Sequence, residues 1–250
     1  MNELIGFLES STTAAAPRIE AYLPKHGGGN GIGIVILPGG GYEGLAEHEG
    51  KAFAKFFSGK GFACYVVNYR LGSQGHRHPA MLEDALAAMG TVRKHSAESG
   101  LGLSKVGVMG SSAGGHLAAH ALVDWGIYES SVPLRPDFGI LCYPVIDMKG
   151  EFCHHGSRDN LIGKNASGRL IQEVSCLDRV SASTPPCFLW HTWEDPALPM
   201  ENTMLFAAAL RRNKVPFELH IYPKGRHGLA LDTKLPWAEA CMRWMKEDVP

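Results

Sequence analysis

The chain has 250 residues, of which 45% are apolar and 20% charged, and its formal net charge is −1. This length and composition predict one α/β domain with a substantial core. The acidic and basic residues are interspersed and nearly cancel, so neither nucleic acid nor an anionic membrane is an expected partner. No apolar run approaches the roughly 20 residues that a membrane-spanning helix needs, so no membrane partner is expected.

The first ten residues lack the basic segment and the long apolar stretch of a signal peptide, so the sequence predicts a cytoplasmic location. Six cysteines are scattered along the chain without C-x-x-C spacing. Without an export signal, free thiols are expected rather than disulfides. The oligomeric state is left open, with a homo-oligomer among the alternatives.

Apolar runs and helical spacings alternate along the chain, which predicts strands alternating with helices. The predicted strands cover residues 17–25, 34–37, 62–69, 105–109, 138–144, 187–191 and 217–222. The predicted helices cover residues 47–60, 79–99, 116–122, 168–176, 200–213 and 236–247. This alternation predicts a mostly parallel sheet covered by helices on both faces. Functional residues are then expected in loops at the carboxyl ends of strands, after Leu37, Met109, His191 and Tyr222.

A glycine-serine turn stands between the strand at 105–109 and the helix that follows it. Its sequence is Gly110-Ser111-Ser112-Ala113-Gly114-Gly115, which fits the G-x-S-x-G nucleophile elbow. Such a turn strains the backbone of its central residue and needs small neighbours. Ser112 is therefore the candidate nucleophile. The alternative is a turn that only connects a strand to a helix.

A serine hydroxyl needs a base, and the base needs an orienting acid. The best candidate for the base is His227, which lies in a glycine-flanked loop after the last strand. The best candidate for the acid is Asp195, which follows the strand at 187–191, with Glu194 as the competing residue. The order Ser112, Asp195, His227 is the one expected of an α/β-hydrolase.

An oxyanion formed at Ser112 would need two backbone donors. The amide of Ala113 is one candidate, and Gly40 and Gly41 in the run Gly39-Gly40-Gly41 are the others, because missing side chains let the backbone approach a substrate. Tyr42 and Trp193 flank this region in the sequence. They are candidate substrate-pocket residues that stack on a sugar or aromatic ring, with exclusion of water as the alternative role.

Two groups of histidines are weaker candidates for a functional role, such as metal binding. His116 and His120 are four residues apart on the predicted elbow helix, but no third ligand accompanies them, so packing is the better interpretation. Cys153-His154-His155 is a short triplet in a polar region, and lining of the acyl or alcohol pocket is an alternative to an incidental surface cluster.

Several motifs together resemble a known family. They are Leu37-Pro38-Gly39-Gly40-Gly41-Tyr42, His48-Glu49-Gly50, Asn68-Tyr69-Arg70-Leu71, His78-Pro79-Ala80-Met81-Leu82, the Ser112 elbow, Thr184-Pro185-Pro186 and Tyr222-Pro223-Lys224-Gly225-Arg226-His227-Gly228. This combination resembles the α/β-hydrolase serine esterases related to acetylxylan esterases and to bifunctional feruloyl and acetyl esterases.

The resemblance implies a single α/β-hydrolase domain over residues 1–250, with 148–183 as an insertion that shapes the pocket. It implies a triad of Ser112, Asp195 and His227, and no metal or organic cofactor. The implied activity is that of a serine carboxylesterase that removes short acyl groups, often acetyl, from a small-molecule or oligosaccharide ester. A peptidase or lactone hydrolase on the same fold, and a non-catalytic hydrolase-like binding protein, remain as alternatives.

Overall fold

The computed structural model describes residues 2–5, 17–25 and 28–249 of the chain. Within these ranges the strands are β1 (Asn2–Ile5), β2 (Arg18–Tyr22), β3 (Ile32–Leu37), β4 (Ala63–Asn68), β5 (Lys105–Ser111), β6 (Gly139–Cys142), β7 (Cys187–Thr192) and β8 (Phe217–Tyr222). The α-helices of the same ranges are α1 (Glu47–Ser58), α2 (Ala80–Ser99), α3 (Ser112–Val123), α4 (His155–Ile162), α5 (Gly168–Glu173), α6 (Glu201–Arg212) and α7 (Trp237–Glu247).

The strands form one eight-stranded sheet in the order β1-β2-β4-β3-β5-β6-β7-β8. Strands β3 to β8 run parallel to one another, while β2 pairs antiparallel with both β4 and the edge strand β1. Leu37 is in register with Gly110, so the loops after β3 and β5 leave the sheet side by side. Thr192 is in register with Tyr222, so the loops after β7 and β8 are neighbours in the same way.

Each face of the sheet packs against its own set of helices. On β3, Ile34 and Ile36 face one side and contribute to a core with α1 and α7, whereas Val35 and Leu37 face the other side. That second core includes α2, α3 and α6. All six residues of β3 are buried, as expected of a strand covered on both faces.

The predicted mostly parallel sheet with helices on both faces is confirmed, and the predicted strands and long helices are found within a few residues of their expected bounds. Two of the strands and α-helices named above were not predicted. One is β1, a four-residue edge strand. The other is α4, a short polar helix whose sequence lacks an amphipathic pattern. The helix predicted at 168–176 is found as α5, which ends at Glu173. None of the helices in the described ranges has the length and apolarity needed to cross a bilayer.

Candidate active site

Ser112 lies at the sharp junction between β5 and α3, near the middle of the sheet. Its φ is +53°, a left-handed value that a residue with a side chain rarely adopts. The turn is tight enough to require glycine on both sides. A Cβ atom on Gly110 would lie 2.0 Å from the carbonyl oxygen of Gly114, and one on Gly114 would lie 2.1 Å from that of Leu37. The backbone therefore has the strained turn predicted for a nucleophile elbow.

The structure brings the three predicted side chains into one hydrogen-bonded row. Oγ of Ser112 lies 2.9 Å from Nε2 of His227. Nδ1 of His227 lies 2.6 Å from Oδ2 of Asp195. Because the Asp195 carboxylate only accepts, Nδ1 of His227 carries a proton and Nε2 is free to accept from the Ser112 hydroxyl. This is the tautomer that a general base at His227 requires.

Asp195 is held by donors on both of its oxygens. Oδ1 accepts from the backbone amides of Ala197 at 2.9 Å and Leu198 at 3.0 Å. Oδ2 accepts from His227 and also from Nε2 of His191 at 3.2 Å. Burial alone would raise the pKa of Asp195, but the hydrogen bonds from His191 and His227 hold it well below its ordinary value. The group facing His227 is therefore an ionised carboxylate at neutral pH.

The competing acid, Glu194, faces elsewhere. Its carboxylate pairs with Lys224, and its side chain is 37% exposed, against 1% for Asp195. The sequence did not assign a role to His191, which is fully buried on β7 and bonded through Nδ1 to the hydroxyl of Thr203 at 2.7 Å. His191 thus helps to orient Asp195 by donating to Oδ2, the same oxygen that accepts from His227.

The glycine loop after β3 lies beside Ser112. The amide of Gly39 donates to Oε2 of Glu49 at 2.9 Å, and the carbonyl of Gly40 accepts from the amide of Glu43 at 3.0 Å. Within the described part of the chain, the amides of Gly40 and Gly41 donate no hydrogen bond. Ala113 is in the first turn of α3, where amides lack a helical acceptor. These three amides are the donors that the sequence analysis proposed for an oxyanion.

Glu49 and Tyr143 form a second polar link below the site, and sequence reasoning assigned neither of them a role. The hydroxyl of Tyr143 donates to Oε1 of Glu49 at 2.8 Å and accepts from the amide of Ala230 at 3.2 Å. The Tyr143 ring also packs edge-on against that of His227, with centroids 5.1 Å apart. Glu49 therefore joins the glycine loop to the segment that carries His227.

A cavity of about 290 Å³ opens over Ser112 and His227. The other residues that line it are Gly40, Gly41, Ala46, His48, Glu49, Val145, His154, Ala197, Leu198 and Gly228. Most of the lining surface is apolar, although His48, Glu49 and His154 line the cavity together with Ser112 and His227. Its volume is at the low end of the roughly 300–1,000 Å³ of small-molecule sites.

Neither predicted aromatic pocket residue lines this cavity. Tyr42 has a φ of +59°, which turns its ring back into the core, where its hydroxyl bonds to Nδ1 of His116 at 2.7 Å. Trp193 is 65% exposed, and its amide continues the β7–β8 pairing by donating to the carbonyl of Tyr222. The structure thus gives Tyr42 a supporting position under the glycine loop and leaves Trp193 outside the cavity.

His116 and His120 are buried on α3 and bonded to protein groups. Nε2 of His116 lies 2.8 Å from the carbonyl of Val174, and Nε2 of His120 lies 3.0 Å from Asp124. In the described ranges, no three His, Cys, Asp or Glu side chains are grouped so that they could hold a metal ion. The two histidines are therefore packed, hydrogen-bonded core residues.

Comparison with known proteins gives consistent matches. A family model described as the alpha/beta hydrolase fold matches residues 34–231, which confirms the predicted fold class. The chain is 35% identical over 208 residues to endo-1,4-beta-xylanase B of Butyrivibrio fibrisolvens, covering 79% of this chain and 32% of that protein. It is 32% identical over 234 residues to an acetylxylan esterase of Xylanibacter ruminicola, covering 90% of this chain and 47% of that protein. The chain thus spans less than half the length of either relative.

Among solved structures, the chain is similar to the acetyl ester-xyloside bifunctional hydrolase from Caldicellulosiruptor lactoaceticus. The two share 41% identity with a TM-score of 0.84, and the match covers 92% of this chain and 87% of the other. The carboxylesterase Cest-2923 of Lactobacillus plantarum shares the fold, with a TM-score of 0.74 at 20% identity over 97% of each chain.

Proposed function

The chain belongs to the α/β-hydrolase family matched over residues 34–231, and from this premise we propose that it is a serine carboxylesterase that hydrolyses short-chain acyl esters. The observation that carries the proposal is the continuous row from Ser112 through His227 to Asp195, with hydrogen-bond distances of 2.9 and 2.6 Å. A row of this kind activates a hydroxyl that is otherwise a weak nucleophile at neutral pH.

In the proposed reaction, Oγ of Ser112 attacks the ester carbonyl while Nε2 of His227 takes its proton. The negative charge on the carbonyl oxygen is held by the amides of Ala113 and of Gly40 or Gly41. The protonated His227 then gives its proton to the leaving alcohol, and the C–O bond breaks to leave an acyl group on Ser112. Water, deprotonated by His227, attacks this acyl-enzyme, and His227 returns the proton to Oγ of Ser112 as the acid leaves. Asp195 stabilises the cationic imidazole in both steps.

We further propose that the substrate is an O-acetylated carbohydrate of the xylan or xylo-oligosaccharide type. Two observations support this choice. The proteins similar to this chain include an acetylxylan esterase and an acetyl ester-xyloside hydrolase. The cavity over Ser112 is also small, with Val145, Ala197 and Leu198 in its wall. A cavity of this size favours short acyl chains over long ones.

The test begins with p-nitrophenyl esters of increasing acyl length, acetylated xylo-oligosaccharides, methyl ferulate and an N-acyl peptide. We expect turnover of the acetyl esters, acetate release from the oligosaccharides and little activity on the peptide. Ser112→Ala should lower kcat by about 10⁴-fold or more while cooperative unfolding is retained. A fluorophosphonate probe should label the folded wild-type protein at Ser112. Retained turnover in Ser112→Ala, or folded protein that neither turns over esters nor reacts with the probe, would overturn the proposal.

A further inference from the structure

One histidine on the cavity wall carries a hydrogen-bond donor without a protein partner. The ring of His154 lines the cavity together with Ser112 and His227. Its Nδ1 accepts from the backbone amide of Ser157 at 3.2 Å and lies 2.8 Å from the hydroxyl of the same residue. An amide can only donate, so the proton of the neutral ring is on Nε2. Among the described residues, no group accepts from this Nε2–H.

His154 is carried by a fixed part of the site. It is the residue that caps α4, and α4 is attached to the glycine loop because the side-chain amide of Asn160 donates to the carbonyl of Gly41 at 2.9 Å. The far end of α4 is held as well, since the carbonyl of Leu161 accepts from the amide of His78 at 2.8 Å. A donor on such a support keeps its direction when a substrate enters.

The position of His154 relative to His227 indicates which part of a substrate it meets. His227 must protonate the leaving alcohol, so the alcohol part of the ester lies on the side of His227. His154 and His227 line the same cavity, so a substrate held at His227 also meets His154. The pKa of His154 is lowered, first by burial and next by the charge that His227 can carry. A neutral His154 adds no repulsion when His227 becomes cationic during the reaction.

We propose that His154 is a specificity-determining residue, whose Nε2–H donates to an oxygen of the alcohol part next to the ester. The group it recognises is a hydroxyl on the carbon adjacent to the ester-bearing carbon, as in a monoester of a vicinal diol, the arrangement found around a sugar ring. This assignment rests on the proposed esterase function and on attack at Ser112. It also gives the segment 148–183 a defined part in shaping the site, through His154 and α4.

The test compares two substrates that differ by one hydroxyl, cyclohexyl acetate and trans-2-hydroxycyclohexyl acetate. For the wild-type protein we expect kcat/KM to be about 3- to 10-fold higher for the hydroxylated ester, the usual effect of one neutral hydrogen bond. His154→Phe keeps a ring on the wall but removes the donor, so the ratio should fall to near one. His154→Gln restores an N–H donor and should recover part of the preference. The matched control is His155→Phe at the exposed neighbouring position, which should keep the wild-type ratio.

p-Nitrophenyl acetate separates the failure of this assignment from the failure of the proposed function. Because it lacks the recognised hydroxyl, its turnover in His154→Phe measures any general effect of the substitution on the site, and the preference between the two cyclohexyl esters is compared with that effect. If His154→Phe lowers kcat/KM for all three esters equally, or keeps the wild-type preference, the role of His154 is wrong and the esterase proposal stands. If the wild-type protein hydrolyses none of the esters, both proposals fail.

Discussion

Burial of His116 predicts a loss of stability in mild acid. The residue is fully buried on α3, where its Nε2 donates to the carbonyl of Val174 and its Nδ1 accepts from the hydroxyl of Tyr42. In its neutral form the imidazole therefore has a hydrogen-bond partner at each ring nitrogen. Burial, together with the neighbouring His120, lowers the pKa of His116 from 6.5 to about 3.

The sign and size of the effect follow from that pKa. The folded pKa lies below the unfolded one, so the unfolded chain binds a proton first. The stability that the protein has with a neutral His116 is therefore complete above pH 6.5 and is lost as the pH falls from 6.5 toward 3. At pH 5 the unfolded histidine is charged and the folded one is not, and this difference removes about 2 kcal/mol of unfolding free energy at about 1.4 kcal/mol per pH unit. His78, whose pKa is also lowered mainly by burial, acts in the same direction.

Urea unfolding of the wild-type protein and His116→Gln at pH 7.5 and pH 5.0 measures this contribution. Glutamine preserves one acceptor and one donor but does not titrate, so the wild type should lose about 2 kcal/mol more than the variant between the two pH values. Equal losses would refute the reasoning. Should the variant fail to fold, nitrogen NMR of the wild-type imidazole gives the same answer, since a charged His116 at pH 5 contradicts the prediction.

Two further predictions concern the supports of the site. Asp195→Asn can keep the donors from Ala197 and Leu198 only by turning its NH₂ group toward His227. His227 would then carry its proton on Nε2, the wrong tautomer for a base, so kcat for p-nitrophenyl acetate should fall about 10⁴-fold with little change in KM. A loss below tenfold would contradict this. Glu49→Ala removes the acceptor of the Gly39 amide and should lower kcat at least tenfold. This is part of the 10²- to 10³-fold cost of losing an oxyanion donor. The control is Glu47→Ala on the same helix, which should leave kcat unchanged because the Glu47 side chain is 81% exposed.

The predicted site residues that the structure brings together are those whose positions are set locally. The Ser112 elbow needs small residues for steric reasons, and those residues are visible in the sequence. Asp195 and His227 were found because each follows a strand, and the carboxyl ends of parallel strands meet at one edge of the sheet. Their mutual distances needed the structure, but their presence at that edge did not.

The residues that the sequence missed or misplaced depend on contacts between distant segments. In the sequence, Glu49 resembles an ordinary acidic residue in the first turn of a helix. It becomes a buried acceptor only because α1 packs against Gly39 and Tyr143. Tyr42 follows the glycine loop in sequence, but its positive φ directs the ring away from the cavity. A one-dimensional pattern does not show on which side of a turn a side chain leaves.

These missed residues explain how a loop of three glycines can serve as a rigid part of the site. The loop is held at one end, where the Gly39 amide donates to Glu49, and at the other, where the Tyr42 hydroxyl bonds to His116. Gly40 and Gly41 between these anchors have positive φ values and unoccupied amides. Glycine is required there by the backbone, and its usual freedom is removed by buried polar contacts at both ends. Since preorganised donors act on the transition state more than on the bound ester, loss of either anchor should lower kcat more than it raises KM.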